Sequence, residues 1–299
     1  MAGTSGNARG IVAMIASQAS FIVNDALIKL ATRELPGGQA IFIRGLCALL
    51  MALTLASALG QLGPWPTRRE APMIAWRNVG EIGSTFFYLF ALFNMPIADA
   101  TAILQFLPLA ITAGAALFLG EAVGWRRWTA TLVGLAGVLV IIRPGTSAFT
   151  AWSLLALAGV GFSMLRDLTT RQISTRFPTM FLVVLSASTV TLAAATFAAA
   201  ETWVVPSTKA VLTLAGAAVF LLGGYYFIID AMRHGEVAVV APFRSSVILF
   251  AIIAGLALFG ETPDTMALVG TGIVVAAGVY TFLRERRLKQ QRAGGDDTA

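Results

Sequence analysis

Residues 10–31 read GIVAMIASQASFIVNDALIKLA, an apolar run whose only charged side chains are Asp25 and Lys29. A helix needs about 20 apolar residues to cross a bilayer, and a barrel strand needs about ten that alternate. This run is close to continuous and about twice the length of such a strand, so it reads as a membrane-spanning helix. Nine similar runs follow, at 38–59, 74–94, 98–119, 127–143, 151–172, 178–199, 208–232, 237–259 and 265–284. Turn chemistry separates them: Pro36-Gly37-Gly38, Gly63-Pro64-Trp65-Pro66, Met95-Pro96, Arg143-Pro144-Gly145, Pro206 and Thr262-Pro263-Asp264. The first run has a signal peptide as its alternative. It carries Gln18, Asn24 and Asp25 and shows no clear cleavage site, so it reads as retained.

Composition agrees with this. Of 299 residues, 57% are hydrophobic and 12% charged, against about 25% charged in an ordinary soluble domain. A mean hydropathy of +0.80 belongs to a polytopic membrane protein. A soluble enzyme, a disordered chain and a fibrous repeat are excluded. The expected fold class is all-α, with ten transmembrane helices. The single Cys47 excludes an internal disulfide, and the single His234 a multi-histidine metal site; no metal or cofactor is expected. The net charge of +6 is not a nucleic-acid signal, because the charges sit at helix ends and in short loops. Fourteen Lys and Arg, Arg77 among them, fall on the side of the termini, against Lys29, Arg33, Arg143 and Lys209 on the other. That asymmetry puts both termini in the cytoplasm of a bacterial inner-membrane protein. The tail 285–299 reads as a basic, frayed cytoplasmic extension.

The two halves of the chain match. Asp25, Lys29 and Pro36 align with Asp167, Arg171 and Pro178 at a shift of 142, and Leu119-Gly120-Glu121 with Phe259-Gly260-Glu261 at a shift of 140. Each half holds five segments, an odd number, so equivalent positions fall on opposite sides of the membrane. The expectation is two inverted repeats, 10–143 and 151–284, with substrate bound near the midplane between them.

Gly120-Glu121-Ala122-Val123-Gly124-Trp125-Arg126-Arg127-Trp128, then Gly134-Leu135-Ala136-Gly137-Val138 and Ile142-Arg143-Pro144-Gly145, resembles the fourth-to-fifth helix region of EamA-type members of the drug/metabolite transporter superfamily. The second half resembles it through Gly260-Glu261, Gly270 and Gly278, without the Trp-Arg-Arg-Trp element. The resemblance implies two five-helix EamA repeats and secondary transport of a small organic solute. Asn24-Asp25-Ala26-Leu27-Ile28-Lys29, Phe42-Ile43-Arg44-Gly45 and Ala241-Pro242-Phe243-Arg244 are similar to a proteobacterial branch that includes riboflavin transporters. They point to a flat aromatic vitamin, with export of amino acids or other metabolites as the alternative. No Gly-Lys-Ser/Thr phosphate loop supports ATP drive. An intramembrane enzyme is the rival from another class, and it lacks a catalytic set such as a Ser/His pair.

Charges inside spans are costly and face protein or a cavity. At 1.5 Å per residue, Asp25 and Arg44 both lie roughly 9 Å from one surface and are placed to pair. Glu81 and Arg244, with Arg166 and Asp167, lie near the other surface. These six are candidate gates or binding groups, with static ion pairs as the alternative and Glu81 or Asp25 as carrier of a coupling proton. Phe86-Phe87-Tyr88 and Tyr225-Tyr226-Phe227 occupy near-equivalent positions, and Phe243 flanks Arg244. Phe87, Tyr88, Tyr225, Tyr226 and Phe243 are candidates to sandwich a flat ring, with lipid-facing packing as the alternative. Asn24, Gln105, Gln18, Ser84, Ser245 and Ser246 are candidate hydrogen-bonding groups. Pro108 and Pro242 are expected to bend helices 4 and 9. Gly134, Gly137, Gly270 and Gly278 are read as close-packing positions, and Glu121 and Glu261 as caps at the outer and inner surface respectively. The expected partners are a small-molecule substrate, a coupling ion such as a proton, and the lipid bilayer, with no nucleic acid; monomer and homodimer are both left open.

Overall fold

The computed structural model describes residues 4–121, 123–144, 150–174, 176–234 and 237–296. Helices account for every expected segment: α1 (Thr4–Ala31), α2 (Gly37–Ala58), α3 (Ala71–Asn94), α4 (Ile97–Leu119), α5 (Trp125–Ile142), α6 (Ala151–Thr170), α7 (Thr179–Ala200), α8 (Thr208–His234), α9 (Val237–Val240 continuing through Ala241–Phe259) and α10 (Thr265–Asp296). Among the described residues, nine of these are long and apolar enough to cross a membrane. The tenth, α3, has the length but carries Arg77, Asn78 and Glu81. This is an all-helical, polytopic membrane protein.

Local chemistry sets the helix ends. Pro36, Pro96 and Pro178 each stand at the N-cap with φ between −58° and −56°, where the fixed ring angle and the missing N–H cost nothing. Gly120 and Gly260 end α4 and α9 in the left-handed region, both at φ +66°. In each case the following Glu N–H folds back onto a carbonyl, Glu121 onto Ala115 and Glu261 onto Gly255. One expectation fails: the tail does not fray at 285, and α10 runs on to Asp296. Residues 285–293 are rich in Arg, Lys, Glu, Gln and Leu, all good helix formers.

The helices pack in cross-half pairs: α1 with α8, α3 with α6, α2 with α7, α5 with α10 and α4 with α9. Exchanging helices 1–5 with 6–10 returns the same set of pairs. Contacts recur with the same offset. Phe21 leaves no room for a side chain at Gly224, and Phe162 leaves none at Gly83. Lipid tails are as apolar as leucine, so membrane helices associate by close van der Waals fit rather than by hydrophobic expulsion. Gly137 and Gly270 show that fit. A Cβ on Gly137 would stand 2.9 Å from the Gly270 carbonyl, and one on Gly270 2.6 Å from the Gly137 carbonyl. Gly134 is equally tight, against Leu109. Gly278 is not a packing position, since a Cβ there would meet nothing within 4 Å.

The first helix begins and the last helix ends at one end of the bundle, here the terminal end; the other is the far end. At the far end Lys29, buried on α1, donates to Glu261 Oε1 and to the Met95 carbonyl, both at 2.6 Å. The other Glu261 oxygen accepts the Ile97 N–H at 2.8 Å. Glu201 accepts the N–H groups of Gly38 and Gln39, both at 3.0 Å, and Gln39 exchanges two hydrogen bonds with the Val204 backbone. Arg143 pairs with Asp264. At the terminal end Glu121 stands 3.9 Å from Arg171, both side chains about half exposed. This reverses the expected placement of Glu121 and Glu261. Counting alternate crossings from α1 brings Glu261 to the end of Lys29, the side assigned outside by charge, and Glu121 to the end of the termini. It also removes Lys29 and Arg77 from the loops: both are buried.

Candidate functional site

Nine of the ten helices surround a cavity of about 600 Å³; α5 contributes nothing to its wall. That volume suits a small organic molecule. The cavity is eccentric. It reaches Arg166 near the end of α6, Val183 near the start of α7 and Phe282 on α10, all toward the terminal end. Toward the far end it stops at Asp25, Arg44, Tyr88 and Thr101, below the Lys29–Glu261 contact.

Asp25, at the upper wall, accepts hydrogen bonds from Tyr88 Oη (2.7 Å) and Asn24 Nδ2 (2.9 Å). Arg44 donates to the Asn24 carbonyl oxygen at 3.2 Å. The expected Asp25–Arg44 pair is therefore bridged by Asn24 rather than direct. Two charges taken out of water need their remaining polar atoms satisfied, and the amide satisfies one atom on each.

A second group lies lower. Glu81 stands 3.8 Å from Arg77 and 3.7 Å from Arg166, and Arg166 Nε donates to Asp167 at 2.7 Å. Arg77 also donates to Thr170 Oγ1 and Ser186 Oγ. Sequence reading placed Glu81 with Arg244. Here it lies between Arg77 and Arg166, and Arg244 is not among its partners. Asp167 is outside the cavity wall and acts through Arg166. Arg77 was missed because its distance from the segment end resembles that of a loop charge; its spacing from Glu81, one helical turn, was the available signal.

The breaks in α4 and α9 meet at the cavity. Gln105 Nε2 lies 3.4 Å from Ser245 Oγ, and the two positions differ by 140, the repeat offset. The α-helical pattern of α4 lapses at Gln105 and Phe106, just before Pro108, and α9 becomes a 3-10 helix over Ala241–Ser246, which contains Pro242. A 3-10 helix has three residues per turn, so positions i and i+3 eclipse. Ala241, Pro242, Arg244, Ser245 and Val247 line the cavity, while Phe243 and Ser246, themselves three apart, do not.

That period corrects Phe243, which is absent from the wall. Of the other aromatic candidates, Tyr88 and Tyr225 line the cavity. Phe87 instead stacks on Phe162 with ring centres 5.2 Å apart, and Tyr226 points outward at 65% exposure. Adjacent helical residues diverge by about 100°, so one residue of each aromatic triplet reaches inside. Phe21, edge-on to Tyr225 at 5.4 Å, and Phe282 complete the ring surface and were not foreseen. Asn24, Gln105, Gln18, Ser84 and Ser245 line the cavity as expected. Ser84 donates to the Glu81 carbonyl of its own helix.

Comparison with known proteins supplies the family. Its sequence signature, described as the EamA-like transporter family, matches residues 8–143 and again 150–283. The pseudopaline exporter of Pseudomonas aeruginosa (strain UCBPP-PA14) is 29% identical over 273 residues, covering 90% of this chain and 94% of its own. The S-adenosylmethionine uptake transporter of Rickettsia prowazekii is 24% identical, covering 93% and 94%. The riboflavin transporter of Vibrio cholerae is 24% identical, covering 95% of each chain. A crystal structure with 19% identity shares the fold, with a TM-score of 0.64 over 94% of this chain and 99% of the other. A cavity lined by charged side chains inside a helical membrane bundle, together with a signature matched twice over most of the sequence, leads to one statement: this chain belongs to the EamA-like transporter family and is a transporter of small molecules rather than an enzyme.

Proposed function

We propose that the protein is a secondary transporter of the bacterial inner membrane, with both termini in the cytoplasm. It carries a small organic metabolite by alternating access between halves 10–143 and 151–284. The observation that carries the reading is a pair of related contacts. Lys29–Glu261 and Arg171–Glu121 join repeat-equivalent positions, offset by 142 and 140. The first is tight and largely shielded and lies above the cavity; the second is 3.9 Å long and exposed below it. Exchange of the two halves' conformations tightens Arg171–Glu121 and opens Lys29–Glu261, turning an inward-facing cavity outward. Asp25 and Glu81, the carboxylates in the cavity wall, are the positions for a coupling proton.

For the substrate, a flat aromatic vitamin such as riboflavin is favoured by Tyr88, Tyr225, Phe21 and Phe282 in the cavity wall and by relatives named riboflavin transporters. Export of another small metabolite is the second reading, favoured by relatives named as exporters. Two experiments test the proposal. Proteoliposomes are expected to exchange radiolabelled solute without nucleotide, and an absolute ATP requirement would refute the mechanism. Expression in a riboflavin auxotroph lacking its own importer is expected to restore growth, with Glu81→Gln impairing the rescue. No rescue from a well-expressed protein would transfer the assignment to export.

A further inference from the structure

We infer that the cavity takes an anionic group of its substrate, a carboxylate or a phosphate, at Arg244. The inference rests on the transport reading above and narrows its flat-ring substrate to one that bears an acidic group, in place of neutral riboflavin itself. Four guanidiniums line the wall, on Arg44, Arg77, Arg166 and Arg244. Three are spoken for: Arg44 reaches Asp25 through Asn24, and Arg77 and Arg166 share Glu81, with Asp167 also on Arg166. Arg244 has neither a hydrogen bond nor an ion pair among the described residues. The charged groups acting on it are Asp167, already held by Arg166, and Arg166 itself, which repels it.

An arginine with no charge partner within a membrane bundle faces a cavity and marks a substrate or ion path, and Arg244 is exposed and opens onto this one. The backbone around it is built for display. The 3-10 turn aims Arg244 and Ser245 into the cavity together, and Gln105 approaches Ser245 from the other broken helix. Irregular backbone in a membrane protein is tolerated where it lines a cavity. A planar guanidinium beside a hydroxyl and a carboxamide offers a fork to two oxygens of one oxyanion. A neutral flat ring would leave that charge unmatched, whereas a ring bearing one acidic group would match both the aromatic wall and the arginine.

The test uses the full chain in nanodiscs of zwitterionic phosphatidylcholine, so that no anionic headgroup competes. Thermal stabilisation is measured with matched probes: nicotinamide against nicotinate, and riboflavin against riboflavin 5′-phosphate. The anionic member of at least one pair is expected to bind about tenfold more tightly than its neutral partner. The carboxylate and phosphate pairs tell the two chemistries apart. Arg244→Gln is expected to bring each pair within about twofold, and Arg244→Lys to keep part of the preference. Without ligand, Arg244→Gln is expected to raise the melting temperature, because it removes an unpaired charge. Equal response to both members of every pair, no response to either anion, or a fall in ligand-free stability on Arg244→Gln would each overturn the assignment. Binding needs no translocation, so anion preference without flux would refute the transport cycle alone. Flux with no anion preference would refute the subsite alone.

Discussion

The two ends of the bundle use equivalent positions in opposite ways. At the far end a lysine and a glutamate meet at 2.6 Å, largely shielded from water, with a carbonyl and an N–H as further partners. At the terminal end an arginine and a glutamate stand 3.9 Å apart and half exposed. Burial converts the same pairing from a surface ion pair, worth about 0–1 kcal/mol, into a contact whose one-sided removal costs about 3–5 kcal/mol. An end seals by excluding water from its charges, not by possessing them.

That contrast is open to direct attack. Lys29→Met leaves the part-buried Glu261 with a single backbone donor and is expected to destabilise the protein by about 3 kcal/mol, the low end for a buried pair. Arg171→Met is expected to cost less than about 1 kcal/mol. Denaturant unfolding in one detergent reads both, and equal losses would abolish the distinction. The double change Lys29→Met with Glu261→Leu is expected to recover part of the loss, since no lone charge remains.

Glycines sharpen the same comparison along α10. Gly270→Ala drives a methyl to 2.6 Å from the Gly137 carbonyl near the far end and is expected to cost about 1–3 kcal/mol. Gly278→Ala, in open space beside the cavity, is expected to stabilise by about 0.5–1 kcal/mol through helix propensity. A loss at Gly278 comparable to that at Gly270 would mean that α10 is packed evenly along its length.

Glu121→Gln separates the static picture from the cycle. In the present conformation it is expected to leave stability almost unchanged. It is nonetheless expected to slow transport about tenfold, or ~1.4 kcal/mol, because the opposite conformation needs that carboxylate. Unchanged flux would leave the far-end contact as a fixed brace. The smallest effect is expected at Glu70, a surface carboxylate held below its usual 4.5 by the Thr67 hydroxyl and N–H, with Arg176 adding to them. Its contribution is full at pH 7 and fades only as pH falls through the lowered value; because the contact is at the surface, Glu70→Gln should still leave flux at pH 7 within about twofold.

Much of this was legible in the residues alone. Apolar run length located ten helices because a bilayer imposes one length on all of them. The matched residues at 29 and 171, and at 121 and 261, supply the two contacts compared above. What escaped was azimuth. Counting residues along a helix gives depth but not direction, so Asp25, Arg44 and Asn24 were all named, but the place of Asn24 between the other two was not foreseen. The same blindness counted Tyr226 and Phe87 as lining, and left Arg77 among the loops. Phe243 failed for a different reason: its segment changes helical period, and composition alone carried no sign of a 3-10 turn.

Lysine occupies the far-end position and arginine its counterpart. An ammonium is a compact point charge on a flexible stem, whereas a guanidinium is a rigid planar fork. In the cycle proposed above, the two end contacts would therefore close with unequal strength, giving the empty protein a preferred resting posture. Such bias tunes turnover and sets the side on which the vacant protein waits. It leaves the net direction of flow to the gradients on either side of the membrane.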